Sequence, residues 1–249
     1  MANNIYINNK MQNLNALLLG TCNVEGLPGV AKRFGYNADH YLYDGRHVPQ
    51  LPANVSDIYD FAVVAITLRS ILEDCNPGKG YFWYTENLSE QYFKIAFEKA
   101  VNLINEQISM MAKLLPKIPV FVFSFIEPSS NPLGLLQKKH SLSNIAFFIR
   151  ELNRHFELII SKYSWFYYFD LNECLSLLGR ERLQDDILYM CSHGGILSNF
   201  DYGLDIKSKR IITPVPALNF FEAFKGANYI ELNCSLCQYI FLIPHRWIS

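Results

Sequence analysis

Cys22 stands two residues after the apolar run NALLLG (15 to 20), inside the stretch ALLLGTCNVEGL (16 to 27). A thiol at the point where a buried strand stops is either inert packing or a nucleophile displayed on a tight turn. A helix beginning directly after it would set the sulfur near the positive end of a helix dipole, where the thiolate is favoured. A nucleophile also needs a base, and the six histidines differ in setting. His155 falls in an amphipathic stretch, His245 near the C-terminus and His40 in a strand, so these three read as structural or exposed. His47 and His140 fall in loops. His193 is the best candidate, because DDILYMCSHGGILSN (185 to 199) sets it beside two glycines with Asp185 and Asp186 upstream. A thiol and an imidazole within reach of one another form the pair that covalent catalysis uses.

The elements that must position this pair are strands alternating with helices. NALLLG (15 to 20), ADHYLYD (38 to 44), FAVVAITL (61 to 68), IPVFVFSF (118 to 125) and WFYYFDL (165 to 171) are short β-branched or aromatic runs of the kind buried on both faces of a parallel sheet. From Ser89 to Leu115, Phe93, Phe97, Ala100, Ile104, Ile108 and Met111 recur at three or four residues and predict a helix with one apolar stripe. A second helix is predicted from Ser143 to Lys162, with Phe147, Ile149, Leu152, Phe156 and Ile159 on its inner face. Five such strands with helical crossovers predict a doubly wound, mostly parallel α/β sheet in three α/β/α layers. In such sheets ligands sit beyond the carboxyl ends of the strands. The residues found there are Thr21, Cys22 and Asn23, then Asp44, Gly45, Arg46 and His47, then Arg69 and Ser70, and finally Glu127. Two long loops, 75 to 87 and 126 to 140, are placed to form lids or walls of a cleft.

Composition narrows the classes. With 249 residues, 50% apolar and 14% aromatic, the chain is long enough for a full core and is read as one domain. Lys plus Arg (22) balances Asp plus Glu (23) with no long basic run, which argues against nucleic acid as a partner. The polar start MANNIYINNKMQN lacks the order of a secretory signal, and no apolar stretch reaches the roughly 18 residues of a membrane span. A cytoplasmic protein is expected. The six scattered cysteines suit a reducing compartment. Cys234 and Cys237 form a lone C-x-x-C that His245 does not complete to the four ligands of a structural zinc, so no metal and no cofactor is expected. GLPGVAKRFG (26 to 35) lacks both the P-loop ending and the Rossmann spacing, which disfavours a nucleotide or phosphate binder.

An apolar strand ending in Gly-x-nucleophile, with a histidine in the last quarter of an alternating α/β chain, resembles the SGNH (GDSL) hydrolases. The opening reads Gly20-Thr21-Cys22, so a thiol falls where that family places its serine. The N-terminal domain of FkbH-like proteins is more similar still, in its strand-Gly-x-Cys opening and in blocks like VSDIYDFAVVAITLRSIL and PVFVFSFIEPSSNPLG. The resemblance covers about residues 14 to 215, leaving a C-terminal helix and apolar tail at 216 to 249. It implies an esterase or acyltransferase in which Cys22 attacks an ester or thioester and His193 takes its proton. Asp185 or Asp186 would orient the imidazole. Thr21, Asn23, Gly45 and Arg69 would bind substrate or its oxyanion. Arg69 stands near the place of the family's oxyanion asparagine, and Met190 where its terminal acid would be. The implied partners are a small-molecule or glycan acyl substrate and an acyl carrier, either CoA or a carrier protein. The alternative is a non-catalytic SGNH-like module that binds a glycan or an acyl-carrier partner.

Overall fold

The computed structural model describes residues 14–21, 24, 27–33, 36–75, 89–129, 138–178, 180, 184, 186, 204–205 and 210–211. Five strands form one parallel sheet: β1 (Asn15–Gly20), β2 (Asn37–Leu42), β3 (Phe61–Val64), β4 (Val120–Phe123) and β5 (Phe166–Phe169). Their order is β2-β1-β3-β4-β5. The chain leaves β1 for one side of the sheet, then returns past it to build the other. This makes the carboxyl ends of β1 and β3 the switch point of a doubly wound fold. A separate antiparallel pair joins β6 (Leu204–Asp205) to β7 (Arg210–Ile211). The expected helix and strands between residues 214 and 249 lie outside the described residues.

Period-two alternation along the central strands feeds two cores. Leu17, Leu19, Ala62, Val64, Val120 and Val122 face one layer, built by α3 (Leu68–Cys75), α4 (Glu90–Leu114) and α5 (Ile145–Ile160). Ala16, Leu18, Phe61, Val63, Phe121 and Phe123 face the other, against α1 (Leu27–Arg33) and α6 (Leu171–Leu178). A one-turn helix, α2 (Val55–Ile58), precedes β3. The three layers follow directly, since β1, β3 and β4 carry apolar side chains on both faces and need a helical cover on each.

The boundaries show where local chemistry overrides pattern. Ser89 caps α4 by accepting from the Tyr92 N–H, and Asn144 caps α5 by accepting from Ala146 and Phe147, so α5 starts two residues inside the predicted edge. On α5, Phe148 rather than Phe147 is fully buried. The run 61 to 68 does not remain a strand. Ala65 N–H still reaches the Leu19 carbonyl at 2.8 Å, but the chain then turns and Leu68 opens α3. Cys75 closes that helix instead of opening a loop. β2 is not buried on both faces: it is an edge strand whose Leu42 is 67% exposed, and β5 forms the other edge.

Candidate active site

The chain leaves β1 on a turn that only glycine fits. A Cβ on Gly20 would lie 2.8 Å from Val24 Cγ2 and 3.2 Å from both the Cβ and the carbonyl oxygen of Ala65. The Gly20 carbonyl accepts from Tyr43 N–H at 3.0 Å and from His40 Nε2 at 3.0 Å, which requires the His40 proton on Nε2. Thr21 then sits at the end of β1, between the ends of β2 and β3, and is 4% exposed. Its carbonyl accepts from Val24 N–H at 3.1 Å, whereas its hydroxyl is buried with no hydrogen-bond partner among the described residues.

Beyond β2 the backbone is set by Asp44. Its carboxylate accepts from Arg46 N–H (2.8 Å), His47 N–H (2.9 Å) and His47 Nδ1 (2.8 Å). Desolvation opposes the charged form there, but the His47 and Arg46 hydrogen bonds and the His47 charge outweigh it and hold the carboxyl well below the usual range. Gly45 follows with φ of +88°, and a Cβ on it would lie 2.8 Å from Gln107 Nε2 and 3.1 Å from Ser70 Oγ. Tyr43 is 1% exposed with a hydroxyl unpartnered among the described residues, whose pKa burial and the Asp44 charge push up.

Beyond β3, Arg69 lies in the first turn of α3 with Nε 2.7 Å from Glu73 Oε1. Arg46 reaches Asp74 at 2.9 Å and Glu73 at 3.5 Å, so an exposed charge network ties this loop to α3. The only cysteine whose side chain is described, Cys75, is half-buried at the end of α3. Its thiol lies 3.3 Å from the Ala96 carbonyl, and burial pushes its pKa up to about 11.

The rim over β4 and β5 is built differently. Asn153 of α5 accepts from Phe125 N–H (2.9 Å) and donates to Phe125 carbonyl (2.7 Å), extending the β4 backbone with a side-chain amide. Asn172 accepts from Glu127 N–H at 2.7 Å and donates to Phe125 carbonyl at 2.8 Å. Arg180 and Gln184 both donate to the Glu127 carbonyl at 2.7 Å, while Arg150 pairs the Glu127 carboxylate at 2.7 Å. Asp186 is anchored here, accepting from Ser129 N–H (3.0 Å), Ser129 Oγ (2.8 Å) and Gln184 Nε2 (2.5 Å).

Of the residues expected to work together, Thr21, Gly45 and Arg69 lie at the carboxyl ends of three neighbouring strands, and Asp186 on the rim over β4. Cys22, Asn23, Asp185 and His193 lie outside the described residues. His47 is exposed and paired to Asp44, His155 packs edge-on against Phe97, and His140 does so against Phe147. Gln107 and Asn153 were not anticipated. Each is a polar residue inside an apolar stripe, between Ile104 and Met111 or between Leu152 and Phe156, and that interruption is the signal the sequence carries. Among the described residues no three His, Cys, Asp or Glu side chains gather as a metal site, and no helix is long and apolar enough to cross a membrane.

No protein-family profile matches the sequence, and neither does any curated protein. Solved structures do align. The N-terminal part of a Bacteroides fragilis protein, containing a phosphatase domain and complexed with Mg, aligns at TM-score 0.46 and 14% identity over 74% of this chain. The chain spans only 47% of that protein. An extracellular lipase from Streptomyces rimosus aligns at TM-score 0.45 and 13% identity, over 74% of this chain and 92% of its own. A lipase from a goat rumen metagenome aligns at TM-score 0.44 and 12% identity, over 71% and 89%. Likenesses this distant leave the site to be judged on the chain's own residues.

Proposed function

We propose that this chain is an SGNH-like ester or thioester hydrolase, or an acyltransferase, with Cys22 as nucleophile and His193 as its base. The observation that carries the reading is the position of Thr21 at the end of β1, on the sheet's switch point, with Cys22 as the next residue. In the reaction His193 takes the thiol proton. The Cys22 sulfur bonds to the carbonyl carbon, and the C=O π pair moves onto oxygen. When that pair returns, the bond to the leaving alcohol or thiol breaks, and the leaving group departs with the proton from the imidazolium. Water, a sugar hydroxyl or a carrier thiol then attacks the acyl-enzyme and restores the free thiol. Asp185 or Asp186 orients His193. Substrate contacts come from Thr21 and Asn23, and oxyanion donors from the Cys22 and Gly45 N–H groups. The acyl donor is a small ester or a carrier thioester such as an acyl-CoA.

The test is intact mass spectrometry after incubation with p-nitrophenyl acetate or acetyl-CoA, for the wild type, Cys22→Ala and His193→Ala. An acyl adduct that needs both residues is the expected result; equal labelling of Cys22→Ala would refute the assignment. One observation favours a second reading, a non-catalytic module that binds a glycan or an acyl carrier: Arg69, near the place of the family's oxyanion donor, has its Nε on Glu73. Saturable CoA binding in calorimetry with no adduct on Cys22 would favour that module.

A further inference from the structure

We infer that Gln107 supplies the side-chain hydrogen bond to the substrate carbonyl, beside the Gly45 loop. The inference rests on the acyl-transfer reading above and names a donor which that reading lacks. Gln107 lies on the sheet-facing side of α4, in line with Ile104, Ile108 and Met111, and is 7% exposed. Its Oε1 is buried with no hydrogen-bond partner among the described residues. A carboxamide has two donors and an acceptor, and desolvating it without a partner is unfavourable, so an apolar residue would serve packing better at this position. Its Nε2 lies 2.8 Å from where a Cβ on residue 45 would be, so Gly45 is the residue that lets the amide come up against the loop backbone. That loop follows β2 at the rim occupied by Thr21, whose hydroxyl is likewise buried and unpartnered. Arg69, in contrast, already meets a carboxylate. A half-turn about the Cγ–Cδ bond offers either N–H or carbonyl to a ligand at no cost in volume. An N–H directed at the carbonyl oxygen of a bound acyl group would stabilise the charge that develops there as sulfur adds.

The experiment compares two reactions of Cys22 in the wild type and in Gln107→Met, a substitution close in volume that removes the amide. Acylation by p-nitrophenyl acetate builds negative charge on a carbonyl oxygen. Alkylation by iodoacetamide displaces iodide at carbon and builds none. Gln107→Met is expected to slow acylation by about a hundredfold while the alkylation rate and the melting temperature hold. Gln107→Leu, which also lacks the donor, should slow acylation as well. Unchanged acylation in Gln107→Met overturns the inference, and so does an equal slowing of both reactions, which would mark Gln107 as a packing residue. A wild type that takes no acyl group but alkylates normally removes the acyl-transfer reading itself, and this inference with it.

Discussion

The two halves of the rim, over β2-β1-β3 and over β4-β5, are made from the same strand-to-loop transitions but treat their polar groups in opposite ways. Over β4 and β5, among the described residues, most buried side-chain donors and acceptors are matched: Asn153 and Asn172 hold Phe125, Ser124 Oγ takes the Leu171 N–H at 2.9 Å, and Gln184 Oε1 is the exception. Over β2, β1 and β3 the Thr21 hydroxyl, the Tyr43 hydroxyl and the Gln107 carbonyl are buried without partners among the described residues. Buried polar groups in folded proteins are normally satisfied, so three exceptions on this side against Gln184 on the other mark it as the better place for a ligand to complete the set. The matched half is chiefly scaffold, with Asp186 held on its rim; the other half is where substrate would be bound.

The comparison breaks most severely if the scaffold half is not in fact holding the fold. Asn153→Leu keeps the apolar stripe of α5 but leaves the Phe125 N–H without its partner and its carbonyl with one bond fewer. A loss of about 2 to 4 kcal/mol in urea denaturation is expected, since orphaning a buried backbone group costs about 1 to 3 kcal/mol. Ser124→Ala, which removes the acceptor of the Leu171 N–H, should cost less, about 1 to 2 kcal/mol. If Asn153→Leu changes stability by less than about 0.5 kcal/mol, the contrast between the halves is illusory.

Gly45→Ala tests the other half. The left-handed backbone at +88° disfavours any Cβ, and this one would meet Gln107 Nε2 at 2.8 Å. The expected cost is about 1 to 2 kcal/mol from the backbone alone. Part of the total is steric, so Gly45→Ala should cost less in a Gln107→Ala background. A double-mutant cycle should return a coupling of about 0.5 kcal/mol or more. Simple additivity would place Gln107 away from the loop and weaken the case for its amide.

Most of the fold can be read from the chain, because the central strands must carry apolar residues on both faces and that leaves continuous runs such as LLL and VFVF. What the runs could not give is where pairing ends. Leu68 reads as strand by composition, but the turn at Thr67, fixed by the Ser70 Oγ to Thr67 carbonyl bond at 2.9 Å, makes it the first residue of a helix. Strand β2 reads like its neighbours, and only the sheet order shows that one of its flanks has no strand beside it. Among the site residues, Gly45 was legible from its place after a strand, and its glycine now has a physical reason. Gln107 interrupts an apolar stripe and so stands out, but its approach to the Gly45 loop from the middle of a helix is set by tertiary packing that no local spacing encodes.

A smaller effect separates the halves by pH. Asp44 has a folded pKa below its unfolded value near 3.9, so the stability it adds is present above about pH 4 and is lost as pH falls toward the folded value. Asp44→Asn should therefore be less stable than the wild type at neutral pH, with the two curves converging as the solution is acidified. The gap should stay below about 1 kcal/mol, since the Asp44 and His47 side chains are 39% and 86% exposed and solvent screens the pair. A gap that widens on acidification would have the opposite sign and would contradict the hydrogen-bond pattern at Asp44.

The smallest stability change is expected at Thr21, and it is the most informative about function. Threonine to valine keeps the shape and removes a hydroxyl. At a matched site that change would orphan a partner, but the Thr21 hydroxyl has none to lose among the described residues. Thr21→Val should leave the free energy of unfolding within about 0.5 kcal/mol of wild type, or raise it, because replacing an unpaired buried polar group by an apolar one removes a desolvation cost. If that hydroxyl exists to meet a ligand, the same variant should raise KM for p-nitrophenyl acetate several-fold while the fold holds. A clear loss of stability in Thr21→Val would mean that the hydroxyl is already satisfied within the fold, and the β1 rim would then be scaffold like its counterpart over β4.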